Sequence, residues 1–135
     1  MAINFDNAFG IHEQALEIRS KRAEVLADNM ANVETPGYLA RDVDFAMALK
    51  SRMNEQQIGF DMARTQANHI NKELKHSMHP DVMYRIPYES SIDGNTVDEH
   101  REKANFSKNT LDFQASFRFL NSRIKGLLTA IKGEL

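Results

Sequence analysis

From Phe5 onward, apolar side chains return at steps of four, three, four, three: Phe5, Phe9, His12, Leu16, Arg19, Ala23, Leu26, Met30 and Val33, with His12 and Arg19 as polar exceptions. This spacing places them on one helix face, and over about four heptads it makes a coiled-coil stripe. A second stripe lies beside it, formed by Ala8, Ile11, Ala15, Ile18 and Val25. Two adjacent stripes make an apolar face wider than one partner helix covers. The same periodicity fits a core helix of a small globular domain, so both readings stand at this point.

The end of the chain repeats the rhythm. Phe106, Thr110, Phe113, Phe117, Leu120, Ile124, Leu127 and Ile131 fall on one face, beside a row of Ala115, Phe119, Ser122 and Gly126. The turn-like Asp93-Gly94-Asn95 precedes Asp98, a side chain suited to cap a helix. The spacing predicts a helix from Glu99 to Lys132, stopped by Gly133.

Between these helices the pattern weakens, and all three prolines fall within residues 34–97. A short helix is predicted from Asp44 to Arg52, a modest strand around Phe60, Met62 and Arg64, and an extended stretch from Met83 to Tyr88. Pro87 demotes that last stretch to a sheet edge. The middle has few large apolar residues and is expected to dock against something else. The fold class is therefore mainly α. Long terminal helices (1–33 and 98–135) pair as an antiparallel coiled coil, with a small irregular, β-containing segment (34–97) between them.

Energetics bear on how such helices hold. Burying one large apolar side chain contributes roughly 1.5–3 kcal/mol, while ordering one residue's backbone costs about 1–2 kcal/mol. A lone helix pair with a single apolar stripe is marginal. The expectation is an assembly subunit whose termini order fully only among neighbouring copies, through Phe5, Phe9, Leu16, Ala23, Leu26 and Met30 on the first helix and Phe113, Phe117, Leu120, Ile124, Leu127 and Ile131 on the last.

Charge and chemistry narrow the function further. The chain has 135 residues with 17 Lys+Arg against 19 Asp+Glu, a formal −2, which argues against a nucleic-acid footprint. It has no cysteine, so disulfides and thiolate chemistry are absent, as suits an exported protein. The first residues lack a basic start and an apolar run, so no cleaved signal is expected. No run reaches the roughly 18 apolar residues of a membrane span. His76 and His79, with His69 upstream, are better read as solvated loop histidines than as a zinc site. No nucleophile triad, carboxylate pair or phosphate loop is present. An enzyme is not expected, and no cofactor or metal is called for. Lys108, Arg118, Arg123, Lys125 and Lys132 face only Asp112 between positions 106 and 133. That excess suits a solvated helix face or a polar cavity better than nucleic acid.

The most informative stretch is Asn29-Met30-Ala31-Asn32-Val33-Glu34-Thr35-Pro36-Gly37-Tyr38. Pro36 fixes φ at the second position of a turn and Gly37 supplies positive φ at the third, a type II turn closing the helix. Asn29 and Asn32 share a helix face, from which their amides can bind the last carbonyls or a neighbouring chain. An ordinary helix stop explains Pro-Gly but not the two asparagines.

Asn29-x-x-Asn32-x-x-Thr35-Pro36-Gly37-Tyr38, closing a long N-terminal helix, resembles the signature of the bacterial flagellar axial proteins of rod and hook. Arg41-Asp42-x-Asp44-Phe45 and Asp93-Gly94-Asn95-Thr96-Val97-Asp98, in so short a chain, look like the proximal rod proteins within that family. The resemblance implies a structural subunit of the basal-body rod, the drive shaft and export-channel wall that crosses the periplasm, needed for flagellum assembly and motility. It implies export by the flagellar type III apparatus, terminal helices forming an inner tube, and a C-terminal helix nearer the lumen. Implied partners are copies of the chain, other proximal rod proteins, the adaptor at the rod base, the membrane-embedded MS ring and the export gate. Without the resemblance, a helical adaptor binding another coiled coil would fit the same periodicity.

Overall fold

A computed structural model describes residues 9–57, 82–87 and 91–133. Phe5, the strand expected around Phe60–Arg64 and the histidines at 69, 76 and 79 lie outside the described residues.

Among the described residues five elements follow in order: α1 (Ile11–Ala31), β1 (Arg41–Val43), α2 (Phe45–Gln57), β2 (Val82–Tyr84) and α3 (Glu99–Lys132). The third helix begins and ends where the spacing predicts. Asp98 accepts hydrogen bonds from the N–H groups of His100 and Arg101, satisfying two orphan donors of the first turn. Gly133 takes φ 68° as its N–H bonds to Thr129 O, a left-handed stop that glycine adopts without a Cβ clash. The short helix runs to Gln57, beyond the expected Arg52. Its cap is Asp44, whose carboxylate accepts from Met47 N–H at 3.0 Å.

The two long helices pack antiparallel. Asn29 meets Glu102 at 3.0 Å, Arg19 meets Asp112 at 2.9 Å, and the His12 ring stacks on Phe119 at 5.7 Å between centroids. The steps of ten and seven down α1 are matched by steps of ten and seven up α3. The pairing is therefore continuous, and the last turns of α3 run past the described end of α1.

The apolar core lies on one side of this pair. Ile18 and Val25 of α1 bury against Val43 of β1, with Phe45, Ala48 and Leu49 packed around them. These α1 residues belong to the second of the two stripes in the sequence. The middle segment thus docks on α1 of its own chain. Short antiparallel pairing of β1 with β2, Arg41 opposite Tyr84 and Val43 opposite Val82, ties residues 82–84 to the same side.

The α3 side differs from the simplest coiled-coil expectation. Its line facing α1 is not the Phe106–Ile131 row but a polar row seven residues apart: Glu102, Asn109 and Ser116, all buried. The reason is chemical. Asn29, Arg19 and the Arg19 carbonyl occupy the facing line of α1, and buried polar groups need partners. Asn109 accordingly donates to Arg19 O at 2.9 Å, and Ser116 donates to Asp112 O at 3.0 Å. Phe113, Phe117, Leu127 and Ile131 are displaced to a flank and stay exposed, Phe117 at 55% and Ile131 at 82%. Leu120 and Ile124 are half-buried. On α1, Leu26 is fully buried, while Phe9, Leu16, Ala23 and Met30 are half-buried. Helical phase puts Leu16, Ala23 and Met30 on the same side of the pair as the exposed α3 row, opposite α2 and the strands.

Candidate assembly site

The helix exit and the segment before α3 form one unit. Ala31 ends α1, and Asn32 folds back: its N–H bonds to Asp28 O and Asn29 O, and its Nδ2 donates to Asp28 O at 2.8 Å. Thr35 donates its hydroxyl to Asn32 Oδ1 at 3.2 Å. Pro36 and Gly37 occupy the centre of the following turn, closed by Tyr38 N–H on Thr35 O at 3.3 Å. Gly37 has φ 72°, so here the positive φ is used.

The exit carbonyls then find their partner far along the chain. The buried Asn95 amide nitrogen lies 3.1, 2.7 and 3.0 Å from the carbonyls of Asn32, Val33 and Thr35. Gly37 N–H donates to Asp93 O at 2.9 Å, Thr96 N–H to Tyr38 O at 3.0 Å, and Ala40 N–H to the Thr96 hydroxyl at 2.7 Å. Helix ends leave carbonyls unsatisfied, and the Asp93–Thr96 segment supplies their donors. Asp93 itself is held below the usual carboxylate range by the Asn95 N–H and the Ser91 hydroxyl. Two of the three motifs that carry the family resemblance therefore dock on each other.

A second polar centre lies one turn deeper. Asn29, fully buried, accepts from Arg41 N–H at 3.0 Å and donates to Arg41 O at 2.7 Å and to Glu102 at 3.0 Å. Asp42 takes a two-pronged contact from Arg22 at 2.8 and 3.0 Å, and Arg85 bridges it at 2.9 Å to the fully buried Glu102. The cluster joins α1, β1, the end of β2 and α3 with two positive and two negative side chains. Burial pushes the Asp42 carboxyl up, but the Arg22 hydrogen bond and charge, the Val43 N–H and Arg85 outweigh it and hold the pKa below the usual range. In turn, Asp42 bonding raises the Arg22 pKa against its burial.

Of the other motif residues, Arg41 turns its guanidinium outward toward Tyr38 OH at 3.4 Å and Asp28 at 3.7 Å. Phe45 lies beneath Arg19, whose guanidinium carbon is 4.0 Å from the ring centroid. Sequence reasoning did not single out Arg22, Arg85, Glu102 or Asn109. Their partners are 17 to 90 residues away, and the one available signal was the heptad spacing of Glu102, Asn109 and Ser116 inside an apolar repeat.

Among the described residues, no group of three or more His, Cys, Asp or Glu is placed to hold a metal ion. No described helix is long and apolar enough to cross a membrane. What remains is a surface: the half-exposed apolar flank of α1 and α3, bordered by the basic positions of α3. Contiguous apolar surface of this kind marks a contact with another macromolecule.

No family model matches the chain. Full-length relatives do. It is 48% identical over 135 residues to the flagellar basal body rod protein FlgB of Aeromonas hydrophila, covering 99% of both chains. It is 40% identical over 136 residues to the FlgB protein of Salmonella typhimurium, covering 98% of this chain and 99% of that one. Identity to the FlgB protein of Escherichia coli is 39% over 137 residues, covering 98% of each. With such identity across nearly the whole length, the chain belongs to the FlgB family of flagellar basal body rod proteins.

Proposed function

We propose that the chain is a structural subunit of the flagellar basal-body rod, acting by assembly and not by catalysis. The observation that carries this reading is the exposed row Phe113, Phe117, Leu127 and Ile131 on a helix pair whose core lies on the other side. A rod subunit has a use for such a row, since it packs against neighbours on more than one side. Head-to-tail contacts between unlike surfaces build helical assemblies instead of closed rings.

Several finer readings rest on the same proposal. The chain divides into a first helical segment (1–33), a middle segment (34–97) that carries the Thr-Pro-Gly-Tyr turn, and a last helical segment (98–135). Its partners are copies of itself and other proximal rod proteins, then the rod-base adaptor, the MS ring and the export gate. It crosses the inner membrane through the flagellar type III apparatus and ends in the periplasmic rod. The basic face of α3, with Arg118, Lys125 and Lys132, looks toward a water-filled channel. The ends of the free chain order fully only on assembly.

The test is Leu120→Asp. The variant is expected to lose some stability, to remain detectable in the cell, and to yield no rod and no motility. Normal swimming of a strain carrying it would remove the α3 row from the assembly surface and the reading with it.

A further inference from the structure

The two halves of α3 differ in charge. The first carries Glu99, Glu102 and Asp112 among Arg101, Lys103 and Lys108. From Phe113 to Gly133 no acidic residue occurs, while Arg118, Arg123, Lys125 and Lys132 are all exposed. The same stretch bares Phe113, Phe117, Leu127, Leu128 and Ile131.

Helical phase orders these groups around the axis. Phe113, Phe117, Ile124, Leu128 and Ile131 fall on one arc, turned about a quarter circle from the line that meets α1. Lys125 and Lys132 border that arc on one side, and Arg123 borders it on the other. Arg118 stands further round. Leu16, Ala23 and Met30 of α1 extend the apolar face, whereas Glu13 and Glu17 fall on the edge of α1 away from α3. The apolar core and the strands lie on the opposite side of the pair.

Long basic side chains at the border of an apolar arc suit one kind of surface. Their stems lie along apolar material while their charges reach water or phosphate. A basic amphipathic helix of this kind lies in the plane of a membrane interface. Residues 113–132 form a strip about 30 Å long at the ordinary helical rise. The helix is not apolar enough to cross a bilayer, so it lies on one.

Two other partners fit less well. Nucleic acid answers the charges but leaves the apolar arc in water. A second copy covers the arc but answers the charges poorly, because the exposed carboxylates Glu17, Glu24 and Asp28 of α1 already hold Arg52, Lys21 and Arg41. An anionic lipid surface answers both.

We infer that the unassembled chain binds anionic membrane surfaces through residues 113–132 of α3, with the apolar arc among the acyl chains and the four cations on lipid phosphates. A rod neighbour covers the same apolar row, so the two bound states exclude each other. The inference does not rest on the rod reading: vesicle binding is measured on the free chain, and rod assembly in cells.

The chain has no tryptophan, so Phe117→Trp places a single emitter in the arc. The full chain is mixed with vesicles of phosphatidylcholine, alone or with an equal part of phosphatidylglycerol, and floated through a density gradient. Binding to the mixed vesicles is expected to exceed binding to phosphatidylcholine alone at least about tenfold, and to fall as salt is raised. Tryptophan emission is expected to shift to the blue on the mixed vesicles only. The triple change Arg118→Gln, Lys125→Gln and Lys132→Gln is expected to weaken binding at least about tenfold, with helix content by circular dichroism unchanged. Leu111→Gln, exposed on the far side of the same helix, is expected to bind as the parent does. Equal binding to both vesicles, or none to either, overturns the inference. So does binding without the blue shift, which is adsorption by charge alone, and so does a triple variant that binds like the parent. If the triple variant loses helix content, Lys125→Gln alone carries the test. Its binding is expected to fall at least about twofold, and unchanged binding overturns the inference.

Discussion

The side-chain amide of Asn29 binds the backbone of Arg41 on both sides, accepting from its N–H at 3.0 Å and donating to its C=O at 2.7 Å. A helix side chain thus does for β1 what a neighbouring strand would do. Across β1, residue 41 is opposite Tyr84 of β2. Asn29 is therefore the first link between the helix pair and the middle segment.

Removing that amide strands a donor and an acceptor in a buried place. Asn29→Ala is expected to destabilise the chain by about 2–4 kcal/mol, given that each buried unsatisfied group costs about 1–3 kcal/mol. Urea unfolding followed by circular dichroism measures it. A loss below about 1 kcal/mol would mean that β1 keeps its place without the amide. Asn29→Asp does not rescue, because it removes the donor to Arg41 O and sets a second carboxylate beside Glu102.

Glu102 is fully buried and bound by Arg85 and Asn29. Taking away only Arg85 leaves a buried carboxylate without its cation. Arg85→Met is expected to destabilise by about 3–5 kcal/mol, the usual range for breaking a buried pair from one side. The double change Arg85→Met with Glu102→Leu is expected to recover a good part of that loss, since neither charge is left behind and Asp42 keeps Arg22. Equilibrium unfolding of the single and double variants completes the cycle. Simple additivity of the two losses would show that the pair does not act as a unit.

Acid should open the same cluster. The Asp42 carboxyl is depressed in the folded chain, chiefly because the Arg22 bond and charge overcome its burial. A depressed carboxylate contributes stability that is fully present above its unfolded value, about 3.9. That contribution is lost as pH falls from there through the lower folded value. Melting curves at pH 7, 5, 4 and 3 are expected to show a drop confined to the range below about pH 4.5. In Asp42→Asn the drop is expected to be shallower, from a lower starting stability. An equal acid slope in the two proteins would assign the loss to other carboxylates.

The last helix with both its ends, and the exit of the first, were legible in the sequence because their causes are local, whereas the short helix runs five residues past its expected end. Asp98 and Gly133 sit at the ends of a strict apolar repeat, and Pro36-Gly37 states its turn outright. The second stripe of α1 told of a second contact side, and there Ala15, Ile18 and Val25 bury, with Leu26 of the first stripe beside them. What the pattern could not display was which stripe of α3 meets α1. That choice depends on Asn29 and Arg19 finding Glu102, Asp112 and Asn109, and polar partners leave no periodic apolar trace. Asn95 shows the same limit: it was legible as part of a turn, not as the donor that closes a helix end about sixty positions earlier.

The flank of α3 offers the sharpest separation of folding from assembly. Phe117 is 55% exposed, so little of its burial supports the isolated fold. Phenylalanine and aspartate also differ little in helix propensity. Phe117→Asp is expected to change the unfolding free energy of the free chain by no more than about 0.5 kcal/mol, as for surface substitutions away from special features. A partner helix laid on this flank would have to bury a carboxylate without a counter-charge, which is strongly unfavourable. Basal bodies from a strain carrying the variant are therefore expected to lack a rod, and the cells not to swim in soft agar. Leu120→Asp strikes the same flank but at a half-buried position, so it is expected to lose stability as well as assembly. If Phe117→Asp cells build rods and swim normally, the exposed row is not a contact between subunits, however well it suits one.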